Sequence, residues 1–310
     1  MNIVFMGTPD FAVESLARLY DTGHNILAVV SQPDRPSGRG MKLRPTPVKE
    51  YALSKGLPVY QVEKVKKNEE FIEKIRSLKP DVIVVVAFGQ ILPKELLEIP
   101  KYGSINVHGS LLPKYRGAAP IQWSIINGEE YTGITTMYMD VGMDTGDMIL
   151  KEKVKIEDDD NFGTLYEKLK RLGGKLIVET LEKVAEGFVP REKQGDDFTI
   201  APMIHKEDGK IDWSKSAKEI RNLIRGLNPM PGAYTFMDGQ MVKIWDAEVE
   251  EDLANEIPGA IVLSDSKEGL KVATGNGILK IKELQMPNAR RMNAQDYLRG
   301  NKIDVGTVLM

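Results

Sequence analysis

Residues 81–89 read DVIVVVAFG. The apolar run, Val82 to Phe88, is dominated by β-branched residues and predicts a strand buried on both faces. Seven residues fall far short of the ~20 that span a bilayer. Working outward, the helix-like NEEFIEKIRSLK (68–79) precedes the run, and NIVFMG (2–7), FAVESLARLYDTG (11–23) and NILAVVS (25–31) repeat the alternation toward the N-terminus. Apolar strands alternating with helical patterns predict βαβ units and an α/β domain built on a largely parallel sheet. Ligands of such sheets sit beyond the carboxyl ends of the strands. Those ends are Gly7-Thr8-Pro9, Ser31 to Asp34, Phe88 to Pro93 and Asn106 to Pro113.

Downstream, NFGTLYEKLKRLGGKLIVETLEKVAEG (161–187) reads as a long amphipathic helix, loosened at Gly173-Gly174, that closes this domain. The polar, turn-rich FVPREKQGDDFTIAPMIHKEDG (188–209) then reads as a linker. Beyond it, a short helix, SAKEIRNLIRGLNP (216–229), leads into the strand patterns GAYTFMDGQMVKIWDAEV (232–249), GAIVLSD (259–265), GLKVAT (269–274) and ILKIKELQM (278–286). Asp238-Gly239 and Gly275-Asn276-Gly277 supply hairpin turns. The expected organisation is a Rossmann-like α/β catalytic domain over 1–188, a linker over 189–205 and a small β-barrel over 206–310.

Composition bounds the partners. The chain has 310 residues, 42% hydrophobic and 28% charged, with a formal net charge of −3, so bulk charge gives no signature of nucleic-acid binding. An anionic partner would be held by local basic clusters; in the second domain Arg221 and Arg225, spaced i and i+4 on one helical face, and Arg290-Arg291 in a loop are candidates, although each alone reads first as a solvated arginine. With no cysteine, disulfides, thiolate catalysis and cysteine-ligated zinc or iron–sulfur sites are excluded. The N-terminal MNIVFMGTPDF lacks the basic region of a signal peptide and reads as the first strand, which sets a cytoplasmic expectation. One basic cluster stands out inside the first domain. The loop QPDRPSGRGMKLRPTPVK (32–49) sets Arg35, Arg39, Lys42, Arg44 and Lys49 against Asp34, and its prolines and glycines predict irregular backbone until a helix starts near Pro47. Two readings are open: a solvated surface loop, or a flexible arm that engages phosphates.

The chemistry centres on GSINVHGSLLPKYRGAAP (103–120). Asn106 and His108 share strand parity, so both side chains point to one face at the end of an extended segment. Gly109 and Pro113 then turn the chain and leave backbone groups free for a ligand. A structural histidine and a catalytic one are both compatible with this pattern. In MDVGMDTGDMI (139–149), Asp140, Asp144 and Asp147 could bind a metal, orient a histidine or cap turns. Asp144-Thr145-Gly146 occurs once in an α/β context, which argues against an aspartic-protease dyad. Neither a G-x-G-x-x-G nor a Walker A pattern is present. Asn, His and Asp without a nucleophile suit acyl or formyl transfer between two bound substrates: the amide and imidazole meet an oxyanion, and the carboxylate orients the imidazole.

Asn106-x-His108-x-Ser110-Leu111-Leu112-Pro113, followed by Tyr115-Arg116-Gly117 and by Asp144 within GMDTGD, resembles the folate-dependent formyltransferases. The opening IVFMGTPDFAVESL, the inserted basic loop and APMIHKEDGKIDW narrow the resemblance to tRNA-directed members, along essentially the whole chain. It implies transfer of a formyl group from 10-formyltetrahydrofolate to the α-amino group of methionyl initiator tRNA, with Asn106, His108 and Asp144 catalytic and no metal required. By the same resemblance, folate is held by Ser110, Leu111, Leu112 and Pro113, by Phe88, Gln90, Ile91 and Leu92, and by the backbone around Val141. Arg39, Lys42 and Arg44 are the implied tRNA contacts, and the C-terminal barrel is OB-like. A monomer without a membrane partner is expected. A sibling enzyme acting on an amino sugar or small amine, and a non-catalytic RNA-binding module on this scaffold, are the competing readings.

Overall fold

The computed structural model describes residues 1–37, 42–187, 190–250 and 256–310. The chain forms two compact units, one of residues 1–120, 131–155 and 166–201, the other of residues 121–130, 156–165 and 202–310. Much of the stretch read as a linker, residues 190–201, thus groups with the first unit.

The first unit is built on a seven-stranded sheet with the strands in the order Met148–Lys155, Tyr131–Tyr138, Ser104–His108, Val82–Val86, Asn2–Gly7, Asn25–Ser31, Val59–Gln61. The five strands from Ser104–His108 to Val59–Gln61 pair in parallel, and Tyr131–Tyr138 and Met148–Lys155 add an antiparallel edge. Val82–Val86 is buried at every position, as a central parallel strand covered on both faces must be. Its register sets Val85 beside Asn106, and Asn106 in turn lies beside Met137.

The helix Phe162–Ala185 runs unbroken through Gly173 and Gly174, contrary to the expected loosening. Close packing is the physical reason for the pair. A Cβ on Gly173 would lie 3.1 Å from Val107 Cγ1, and one on Gly174 would lie 2.8 Å from Glu14 Cγ. The glycines let the helix approach both the strand that carries Asn106 and the helix Asp10–Asp21.

The basic loop also departs from expectation. Arg35–Ser37 and Lys42–Arg44 form a two-stranded antiparallel ladder, with Pro36 opposite Leu43. A two-stranded ribbon has only edges, where proline's missing N–H is tolerated. The helix Pro47–Ser54 then starts where predicted, capped by the Thr46 hydroxyl, which accepts from Lys49 N–H.

In the second unit, the strands Ala233–Met237, Gln240–Glu250, Ile278–Gln285, Gly269–Ala273 and Ile261–Asp265 pair in that order, all antiparallel. The C-terminal segment bonds to both ends of this order: Phe236 and Met310 exchange backbone hydrogen bonds, while Ile261 N donates to Thr307 O and Leu309 N to Gly259 O. The helix Ala217–Gly226 starts on a capping box between Ser216 and Glu219, and it contributes Ile220 and Ile224 to this unit's core.

Candidate active site

The strand Ser104–His108 ends in the two side chains of interest, and its burial gives them different surroundings. His108 is buried at 6% exposure, whereas Asn106 is half-buried, and its amide makes no hydrogen bond among the described residues. An unpartnered amide at a strand's carboxyl end is free to meet a ligand.

Both ring nitrogens of His108 face protein groups. Nε2 lies 2.9 Å from the carbonyl oxygen of Tyr115. A carbonyl only accepts, so Nε2 carries a hydrogen and donates it, which fixes the tautomer of the neutral ring. Nδ1 is therefore the nitrogen whose proton can come and go. It sits 3.7 Å from Asp144 Oδ2, within ion-pair range and beyond hydrogen-bond range. Oδ2 is anchored by the Gly117 backbone N–H at 2.8 Å, while Oδ1 makes no hydrogen bond among the described residues. The carboxylate thus faces Nδ1 through space and keeps one oxygen for another donor.

Two of these groups come from strained backbone. Tyr115 has φ of 62° and Asp144 φ of 53°, in the left-handed region that non-glycine residues rarely adopt. Such strain persists only where surrounding contacts over-determine it. Around Tyr115, its own N–H donates to Thr199 Oγ1 at 2.8 Å, and Arg116 N–H donates to Thr199 O at 2.9 Å. Gly117, at φ of 123°, lies against Ala201, whose carbonyl oxygen would be 2.6 Å from a Cβ there. The turn between is closed by Ser110 Oγ, which donates to Lys114 O at 2.6 Å, and by Thr135 Oγ1, which accepts from Leu112 N and donates to Ser110 O.

The three aspartates of the Gly-rich loop separate by role. Asp140 accepts from Gly142 N and Thr145 Oγ1 and caps the turn, whereas Asp147 faces Arg191 at 3.7 Å. Asp144 alone of the three approaches His108, and among the described residues no three histidines or acids come together in a metal-holding group.

The residues assigned to folate divide between wall and support. Phe88, Leu92 and Leu112 are core side chains at 2% exposure, while Ile91 and Val141 are exposed at 68% and 67% and present apolar surface. Gln90 is spent on structure: its Oε1 accepts from Val65 N and its Nε2 donates to Val62 O. Ser110 is buried, with its hydroxyl committed to the turn. Beside Phe88, a cavity of about 380 Å³ opens between the strand ends, lined by Thr8, Gln32, Arg35, Arg44 and Phe88 among others. Of the basic loop's three named contacts, Lys42 and Arg44 are exposed, and Arg39 lies outside the described residues.

Sequence reasoning missed Gln194 and Thr199. Their bonds to the Asp144 and Tyr115 backbones reach across 50 and 84 residues, and no local pattern signals such a contact. In the second unit, the helical pair Arg221 and Arg225, whose spacing suggests a phosphate site, is occupied. Arg221 makes two hydrogen bonds to the Asp158 carboxylate, and Arg225 donates to the Asp158 carbonyl. Arg291 pairs with Glu283, and Arg290 has no partner among the described residues.

Comparison with known proteins identifies the family. The formyl transferase family model matches residues 1–181, and the model of the formyl transferase C-terminal domain matches residues 203–302. The methionyl-tRNA formyltransferases of Caldanaerobacter subterraneus subsp. tengcongensis and Clostridioides difficile are 56% and 54% identical over 310 residues, covering all of both chains in each case. Among solved structures, the N-formyltransferase of Helicobacter canadensis, in complex with folinic acid and dTDP-3-aminofucose, superposes with a TM-score of 0.67 at 20% identity, covering 94% of this chain and 99% of that one. HypX of Aquifex aeolicus in complex with tetrahydrofolic acid gives 0.63 at 16% identity, over 98% of this chain and 50% of that one. At those identities the likeness is one of fold. With family models over both halves and full-length relatives above half identity, the chain belongs to the formyl transferase family, in its methionyl-tRNA formyltransferase branch.

Proposed function

We propose that this protein transfers the formyl group of 10-formyltetrahydrofolate to the α-amino group of methionyl initiator tRNA. The observation that carries the chemistry is the pairing of His108 Nδ1 with Asp144 at the end of the strand that also carries the unpartnered amide of Asn106. Full-length relatives named for this reaction supply the acceptor, and structural neighbours bound to folates support the donor class.

In the mechanism that follows, the neutral amine attacks the formyl carbon and its carbonyl oxygen becomes an oxyanion. Asn106 donates an amide N–H to that oxygen, and His108 in its imidazolium form donates Nδ1–H. Asp144 holds the positive charge on His108, and its free Oδ1 accepts a hydrogen bond from the attacking amine. When the tetrahedral intermediate collapses, the bond from the formyl carbon to N10 breaks. The amine loses one proton and N10 gains one, so the reaction is proton-neutral, and His108 Nδ1 is the group placed to mediate that exchange. Tyr115 O retains Nε2–H throughout and keeps the ring from turning.

The acceptor is held outside this centre. Arg39, Lys42 and Arg44 contact phosphates near the acceptor end, with Arg290 a further cation in the second unit, which we read as an OB-like barrel. The folate lies along Leu111, Leu112 and Pro113 and against the apolar surface of Ile91 and Val141. Incubation with 10-formyltetrahydrofolate and methionyl initiator tRNA, followed by mass measurement of the aminoacyl group, tests the whole reading. Addition of one formyl group supports it. Formylation of small amines or an amino sugar in preference to charged tRNA identifies a sibling activity, and RNA binding without formyl transfer overturns the catalytic assignment.

A further inference from the structure

We infer that Gln194 is a positioning residue for the catalytic Asp144, acting from a segment that follows the long helix. The inference rests on the reading of Asp144 given above. Gln194 Nε2 donates to two carbonyl oxygens of the Gly-rich loop, Asp144 O and Gly146 O, each at 2.8 Å. Its Oε1 accepts from Arg116 Nε, also at 2.8 Å. One amide therefore ties together the loop carrying Asp144 and the segment carrying Tyr115, Arg116 and Gly117. Those are the two stretches that supply the partners of His108.

The bonds fall where the backbone needs them. Asp144 is in the left-handed region, and Gln194 fixes the carbonyls at that residue and two residues on. Tyr115, the other left-handed residue, is fixed by Thr199 in the same segment. Arg116 is itself buried, with its guanidinium 4.4 Å over the Phe198 ring, so the acceptor end of the Gln194 amide meets a rigid donor. The Asp144 carboxylate lies 3.7 Å from Nδ1, where a shift on the order of 1 Å can cost about 10²-fold in rate. Loss of the two Gln194 donors frees the loop to make such a shift, although Gln194 makes no hydrogen bond to His108 among the described residues.

The test is a double-mutant cycle between Gln194 and Asp144, read by single-turnover formyl transfer. Gln194→Met keeps the length of the side chain and removes both donors and the acceptor. Gln194→Glu keeps an acceptor for Arg116 and turns its other carboxylate oxygen, in place of the donor Nε2, toward the two carbonyls. Each is expected to slow transfer about 10- to 100-fold while the KM for folate and for tRNA moves by less than about threefold, because the contact it breaks supports a group acting in the transition state. In an Asp144→Asn background, Gln194→Met is expected to cost less than about threefold more, since the group it positions is already gone. Wild-type rates in the Gln194 variants, or a full multiplicative loss in the Asp144→Asn background, overturn the inference. If Gln194→Met does not fold, the cycle with Gln194→Glu decides by the same criteria. A near-normal rate in Asp144→Asn alone sinks the catalytic reading and the inference with it. A slow Asp144→Asn beside normal Gln194 variants sinks the inference only.

Discussion

Replacing Asp144 by asparagine removes the charge from the site while the side chain keeps its shape and one oxygen to accept the Gly117 N–H; the other oxygen, the proposed acceptor for the attacking amine, becomes an NH2. What disappears is a carboxylate 3.7 Å from His108 Nδ1. With an effective dielectric constant of about 20, two unit charges at that separation interact by on the order of 4 kcal/mol. His108 is buried, but Asp144 retains 17% of its side-chain exposure, so solvent takes part of that interaction and the figure is an upper bound. At about 1.4 kcal/mol per tenfold, the transfer step should slow by roughly 10²- to 10³-fold. Mixing the preloaded enzyme–folate complex with charged tRNA and quenching within a single turnover reads that step without product release. Substrate affinities should change little, because the charge acts on the imidazolium that forms during reaction. A loss below about tenfold would mean that His108 does not carry positive charge in the transition state, and the mechanism would need a different proton carrier.

Three further outcomes follow from the same geometry. Asn106→Ala should slow single-turnover transfer by about 10², the cost of one oxyanion donor, with the melting temperature unchanged within a few degrees because the amide makes no hydrogen bond among the described residues. Lys42→Ala and Arg44→Ala should each weaken tRNA binding and lower the slope of log affinity against log salt by just under one, while the rate at saturating tRNA stays near wild type; an unchanged slope removes that residue from the phosphate contacts. Burial, reinforced by the Asp10 carboxylate, pushes the Tyr166 phenol up to about 12 from its ordinary value near 10. The folded state therefore holds this proton more tightly than the unfolded chain, so the stability it contributes is complete below pH ~10 and is lost as pH rises toward 12. Tyr166→Phe should flatten the fall in melting temperature between about pH 10 and 11.5, and an unchanged slope would show that the phenol is not held back in the folded state.

The sheet was legible because its signal is local. The run Val82 to Phe88 reads as a doubly covered strand, which the structure forms over Val82–Val86, and the shared parity of Asn106 and His108 places both side chains on one face before any tertiary information. The helix through Gly173 and Gly174 was misjudged for a physical reason: glycine lowers helix propensity locally, while the close approach to Val107 and Glu14 that favours it is set by packing elsewhere in the chain. The ladder of Arg35–Ser37 with Lys42–Arg44 was hidden by proline-rich composition, which speaks against central strands more than against a lone ribbon. Least legible were the supports of the site. Thr199 and Gln194 sit in a polar, aperiodic stretch, and their targets lie far back in the sequence, so composition assigned them to a linker. The same limit applied to Arg221 and Arg225. Their helical spacing suggested a phosphate site, and only the fold revealed Asp158 against them.

In the proposed mechanism His108, with Nε2–H held by Tyr115 and Nδ1 open to the reaction, mediates formyl transfer to an amine. Single-turnover transfer of isotopically labelled formyl from 10-formyltetrahydrofolate to methionyl initiator tRNA, measured for wild type and His108→Ala, tests it most directly. The label should appear on the α-amino group with wild type and at least about 10² more slowly with His108→Ala. A variant that transfers the label at a rate near wild type would contradict it.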